Sequence, residues 1–225
     1  MQNISQTLAG RVAVTRLLPL SISELKEDAN IDTNTLMWKG FYPGVWGDGK
    51  DPGNVYDSYV STYLQRDVRQ ILNIKDLSLF QKFLTIVASR VGNVFIASSI
   101  ASELGVDYKT IQSWMSILET SYTAFLLQPF HRNIGKRMTK TPKVYFYDVG
   151  LACHLLGIEN EQHIKTHPLR GAIFENMVVC EMLKKRYNQG LKSNLFFYRD
   201  QTAEVDVIQD FVKQKTAYEI KSAER

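Results

Sequence analysis

Asp206, Glu219 and Lys221 stand in the spacing Asp-x(12)-Glu-x-Lys, the arrangement in this chain best suited to chemistry on a phosphate ester. Two carboxylates on neighbouring strands offer the hard oxygen ligands that Mg²⁺ or Mn²⁺ prefer. A lysine two residues beyond the second acid stabilises charge on an attacked phosphate or polarises the attacking water. Strand parity supports the grouping, because Glu204, Asp206 and Ile208 share one face and Glu219 and Lys221 share another strand's face. A helix precedes these strands and carries Glu175, a further candidate ligand. The competing reading is structural: E-V-D-V alternation also describes a half-buried strand with one wet face.

The elements that position these residues are legible over the last third. LRGAIFENMVVCEMLKKRY (169–187) reads as an amphipathic helix with cations near its C-terminus, where they suit the helix dipole. Three strands are expected at 194–200, 203–210 and 216–222, with FVKQK making most of the last bend.

The middle third has a different character. Residues 78–150 carry eight Lys/Arg against four Asp/Glu, and the chain's net charge of +4 comes from this segment. Helices are expected at 79–92, 95–105 and 106–122, the first two closed by Gly92 and Gly105 and the third with Asp107 as its N-cap. Two short helices, a glycine turn and a third helix form a helix-turn-helix. Strands expected at 124–130 and 143–151 flank HRNIGKRMTKTPK and complete a winged helix. On the third helix Ile111, Trp114 or Met115, and Leu118 face inward, which leaves Lys109, Thr110, Gln112, Ser113 and Ser116 outward for a DNA groove. Arg132, Lys136, Arg137 and Lys140 supply the phosphate contacts. Protein docking is the alternative use of such a module.

The first third is less informative. A strand is expected over RVAVTRLLPL, a helix start at Ser21-x-Ser23-Glu24, and a loop over 38–54. VYDSYVSTYLQRDVRQIL (55–72) reads as a helix with Val55, Tyr59, Tyr63 and Val68 or Leu72 near one face. Asp148 suits a turn or helix cap, Cys153 a core position, and Arg66 an exposed helical ion pair. The four histidines lack metal-ligand spacing. Two cysteines make no disulfide framework, no apolar run reaches membrane-spanning length, and no signal peptide opens the chain, so a cytoplasmic protein with no membrane partner is expected.

LAGRVAVTRLLPLSISEL, YVSTYLQRDV, KVYFYDVGLACHLLG and GAIFENMVVCEML resemble blocks of a prokaryotic P-loop (AAA-type) ATPase family whose members carry a C-terminal domain of unknown function. The resemblance implies a multidomain α+β and α/β chain: the end of a P-loop ATPase core (1–25), a helical linker (26–77), a winged helix-turn-helix (78–150) and a truncated PD-(D/E)xK nuclease-like domain (151–225). It implies Asp206 and Glu219 as metal ligands, Lys221 as the nuclease lysine and Glu175 as the helical acid, with Mg²⁺ or Mn²⁺ as cofactor and DNA as partner. The chain has no G-x-x-x-x-G-K-[ST], and Gly47-Asp48-Gly49-Lys50 is too short to replace it. ATP therefore enters only through an upstream ATPase domain of a longer protein, or the chain is a degenerate homologue. An inactive nuclease-like module that regulates such an ATPase and docks a protein partner is the alternative.

Overall fold

The structure is a computed structural model that describes residues 15–25, 31–63, 77–131, 140–211 and 213–222. Arg66, Arg132, Lys136, Arg137 and residues 11–14 of the expected first strand lie outside these residues. Residues 15–20 form no strand. A short 3-10 turn at Ile22–Glu24 follows, where Ser21 and Glu24 cap each other reciprocally, so the expected helix start is a single turn.

Asp32 begins α1 (Thr33–Lys39) by accepting hydrogen bonds from the backbone N–H groups of Asn34 and Thr35. Within the expected 38–54 loop lies one short helix, α2 (Pro43–Trp46). Pro52 and the Asp51 cap start α3 (Pro52–Thr62). Pro52, Tyr56 and Val60 are its buried residues, and Tyr63 buries just beyond it. Of the expected face Tyr63 therefore buries while Val55 and Tyr59 are half-buried, and Val68 and Leu72 lie outside the described residues.

The middle of the chain runs α4 (Leu77–Ser89), α5 (Ala97–Leu104), α6 (Tyr108–Thr120), β1 (Ala124–Leu127) and β2 (Lys143–Phe146). Gly105 closes α5 in the left-handed region at φ 67°, a conformation glycine adopts without steric cost. Asp107 then caps α6, its carboxylate accepting from the Lys109 N–H at 2.7 Å. β1 and β2 pair antiparallel, and Val94, just before α5, bridges to Lys143 on the other side of β2. Ile111 and Leu118 bury as their spacing predicts, both of the alternatives Trp114 and Met115 turn inward, and Ile117 buries with them. Trp114 packs edge-on to Phe80 and tilted to Phe83, both at 5.3 Å. Each such buried side chain contributes roughly 1.5–3 kcal/mol over leaving it in water.

The expected strand from 143 to 151 stops early. Asp148 turns the chain and caps α7 (Val149–Leu155), accepting from Leu151 N–H at 2.9 Å. The same buried carboxylate accepts from Tyr56 Oη at 2.6 Å and from Phe41 N–H at 2.7 Å, which ties α3 and the end of α1 to α7. α8 (Glu161–Thr166) and the long α9 (Arg170–Asn188) follow. The chain ends in an antiparallel meander, β3 (Leu195–Arg199), β4 (Glu204–Phe211) and β5 (Gln214–Tyr218). β5 ends before Glu219, shorter than the expected 216–222.

β2 sorts its side chains between two cores. Val144 and Phe146 enter the helical core, whereas Tyr145 and Tyr147 join Val179, Cys180, Leu183, Leu195, Phe197 and Val207 in a second one. A parallel bridge between Pro129 and Phe197 then sets β1 beside β3. The ribbon is therefore common ground: one face covers the helices, and the other packs on α9 and the meander.

Candidate functional site

Lys143 and Tyr145 project from β2 toward α9, and Glu175 on α9 meets both. Lys143 Nζ lies 3.3 Å from Glu175 Oε1, and Tyr145 Oη donates to the same oxygen. Lys143 also reaches Glu204 of β4 at 3.0 Å, with 3% of its side chain exposed. Arg199 approaches the other oxygen of Glu204 at 3.6 Å. Asp206 is close enough for its charge to push the Glu175 pKa up. Burial is the larger cause of that rise, and it outweighs the Tyr145 hydrogen bond and the Lys143 charge. Burial and the Glu175 carboxylate raise the Tyr145 phenol in turn.

The Asp-x(12)-Glu-x-Lys residues divide. Asp206 Oδ2 accepts from the Ile220 N–H at 2.8 Å, which sets it against the backbone between Glu219 and Lys221. Glu219 and Lys221 pair with each other at 3.1 Å, their side chains 68% and 73% exposed. Asp206 and Glu175 are thus brought together, while Glu219 and Lys221 lie outside that cluster in solvent. Among the described residues no three His, Cys, Asp or Glu side chains converge to hold a metal ion. Glu175 and Asp206 are the carboxylates whose chemistry would suit Mg²⁺, and the Lys143 ammonium already neutralises the first of them.

Three of the cluster's residues are not among the sequence-predicted site residues, although Glu204 shares the Asp206 face. Lys143 belongs to the basic stretch, Tyr145 to an apolar strand and Glu204 to a wet face. The parity of K-V-Y on β2 is the signal that pairs the first two.

The outward face of α6 forms a second candidate surface. Lys109, Gln112 and Ser113 are exposed on α6, and Thr110 is half-buried. Gln112 Nε2 donates to Tyr108 Oη at 2.8 Å. An open cleft of about 510 Å³ joins this face to the foot of the ribbon, lined in part by Ser98, Tyr108, Gln112, Glu119, Lys140 and Thr141. Burial raises the Glu119 carboxyl above its ordinary value.

Residues 30–162 match a domain of unknown function, DUF8612. The chain belongs to the DUF8612 family. A second domain of unknown function, DUF4143, matches residues 170–225 and begins with α9. Uncharacterised proteins of Mycobacterium bovis and Mycobacterium tuberculosis are each 28% identical over 221 residues, covering 96% of this chain and 48% of theirs. An uncharacterised Haemophilus influenzae protein is 21% identical over 201 residues, covering 82% of this chain and 48% of its own. The chain spans about half the length of these curated relatives, and no solved structure matches it. The cluster straddles the two matched segments: DUF8612 supplies Lys143 and Tyr145, and DUF4143 supplies Glu175, Glu204 and Asp206.

Proposed function

We propose that this chain is part of an AAA-type ATPase and binds DNA through a winged helix formed by α4 to β2. The observation that carries the DNA reading is the cleft that Lys140 shares with the polar face of α6, beside the Val94–Lys143 bridge that ties the start of α5 to the β1–β2 ribbon. Lys109, Thr110, Gln112 and Ser113 would meet the groove, and Arg132, Lys136, Arg137 and Lys140 the phosphates. The ATPase parentage rests on the sequence blocks quoted above and on DUF4143, which typically occurs in AAA-ATPase-associated proteins.

Fluorescence anisotropy with a labelled duplex at rising salt tests the DNA reading. Affinity should fall with a log–log slope of roughly −0.9 per phosphate neutralised. Neutralising Lys136, Arg137 and Lys140 together should flatten that slope. A flat response in the unaltered chain would exclude DNA and leave protein docking.

For the α9–meander unit we infer a nuclease-like scaffold that does not cut. The observation favouring this is Lys143, whose ammonium sits between Glu175 and Glu204. The hydrolytic reading needs Asp206 and Glu219 to hold Mg²⁺ or Mn²⁺, with Lys221 activating water and Glu175 assisting. Divalent-metal-dependent DNA cleavage that is lost in both Asp206→Asn and Lys221→Ala would overturn the scaffold reading.

A further inference from the structure

On the side of the ribbon away from α6 lies a second open cleft of about 550 Å³, lined by Phe130, His131, Lys140, Tyr198, Arg199, Asp200 and Ile208. Its chemistry differs from that of the α6 cleft, because three of its seven residues carry aromatic rings and two carry fixed positive charge. Tyr198 is half-buried on β3, and its hydroxyl donates to Asp200, which pins the ring. Asp200 also accepts from Thr202 N–H, Thr202 Oγ1 and Ala203 N–H, so hydrogen bonds from its own turn surround its charge. Phe130 stands edge-on to Phe196 at 6.0 Å, with Lys215 Nζ 5.7 Å from its ring centre.

Two connections give the cleft a direction. Lys140 lines both this cleft and the α6 cleft, so the two surfaces meet at one cation. At the far lip Arg199 reaches Glu204, and Glu204 leads through Lys143 to Glu175.

We propose that this cleft holds a single-stranded DNA segment that continues from a duplex bound at α6 and runs past Lys140 toward the Arg199–Glu204 lip. The proposal rests on the DNA-binding reading above and extends it to strand type. Two fixed cations among its lining residues, Lys140 and Arg199, complement a phosphate backbone. The rings of Phe130 and Tyr198 in the same lining offer faces on which unpaired bases stack. Interior base pairs of a duplex are stacked on both faces and a blunt end opens only the broad face of its terminal pair, whereas a tail presents separate single bases to Tyr198 and Phe130.

The test compares a blunt duplex with the same duplex carrying a short single-stranded thymidine tail, by anisotropy on the 225-residue chain. The tailed duplex should bind at least about five-fold tighter, the lower end of what one stacked base contributes. Tyr198→Ala should abolish that difference and leave blunt-duplex affinity unchanged, whereas Tyr198→Phe should keep it. Arg199→Gln, an exposed position, provides a second variant that should shrink the difference should Tyr198→Ala fail to fold. Equal binding of blunt and tailed duplex by the unaltered chain, or equal loss of both in Tyr198→Ala, overturns this proposal and leaves the winged-helix reading standing. Failure to bind either DNA overturns both.

Discussion

Lys143 and Glu175 face each other across the seam between β2 and α9, Nζ 3.3 Å from Oε1, with 3% and 14% of their side chains exposed. Removing one partner of a buried pair leaves an uncompensated charge, at a cost of about 3 kcal/mol. The Glu204 arm adds little, since that carboxylate is 41% exposed and well solvated. Lys143→Met should therefore destabilise the chain chiefly through Glu175. The pH dependence has a definite sign. Burial holds the Glu175 pKa above the ordinary glutamate value, so the folded chain keeps a proton that the unfolded chain releases. The stability from that proton is complete below the ordinary value and is lost as pH rises through the raised one. Lys143 limits the rise, and Lys143→Met increases it. Urea unfolding should show the variant's deficit larger at pH 8 than at pH 5. An equal deficit at both would mean that Glu175 is not the group left unpaired.

The pair also marks how far the sequence reaches. Asp148 was legible as a turn or helix cap, because an aspartate ahead of V-G-L needs only the Leu151 N–H three residues on, although the expected strand ran past it to 151. The α6 core was legible at Ile111 and Leu118, where helical period alone turns the residue inward, and left open between Trp114 and Met115, both of which bury. Lys143 was not. Its burial depends on Glu175, 32 residues later, and a lysine ending a basic stretch looks like surface until α9 lies over it. Parity likewise extrapolates Asp206 to a place opposite Glu219, but regular pairing ends at Val207–Tyr218. There the Asp206 carboxylate takes the Ile220 N–H, a competition between side chain and ladder that alternation does not encode.

Asn176 gives a sharper prediction about the same helix. Fully buried, it accepts from Phe146 N–H at 2.7 Å and donates to Phe146 C=O at 3.1 Å, so its amide pairs with β2 as a neighbouring strand would. Asn176→Ala leaves the buried Phe146 N–H unsatisfied and its carbonyl with only the Cys180 thiol as donor, and should cost about 2 kcal/mol in denaturant unfolding. Asn176→Asp keeps the size but loses the donor and sets a carboxylate against the Phe146 carbonyl. At pH 7 it should be no more stable than the alanine variant. Recovery of near-native stability by aspartate would show that shape, rather than the amide's two-way pairing, is what the site requires.

Gly40 and Gly150 bring two backbones into contact beneath Tyr56. A Cβ on Gly150 would lie 2.3 Å from Tyr56 Oη and 2.7 Å from the Gly40 Cα, and backbone on that side has no room to yield. Gly150→Ala should therefore cost at least about 3 kcal/mol and lower the melting temperature sharply. Gly171→Ala is the matched control, since a Cβ there meets only Ser222 Oγ at 3.8 Å. Within the first turn of α9 it should be neutral or stabilising by up to about 1 kcal/mol. Similar melting shifts in the two variants would mean that the Gly40–Gly150 approach is looser than it stands.

Cys153 and Cys180 report on the integrity of the two cores separately. Both are buried, Cys153 in the helical core and Cys180 in the ribbon–meander core. Burial drives both thiols upward, Cys180 to about 12, so almost no thiolate exists at pH 8. Cys180 Sγ also donates to Phe146 C=O at 2.8 Å, which fixes it further as a thiol. A thiol-reactive dye at pH 8 should label neither residue in the native chain. Labelling should rise with urea, and mass spectrometry of the labelled peptides then gives an opening profile for each core. Because β2 serves both cores, the two profiles should coincide, with neither core opening before the other. Labelling of Cys180 at a urea concentration that leaves Cys153 protected would separate the α9–meander unit from the helices and make the ribbon a partner that can be released.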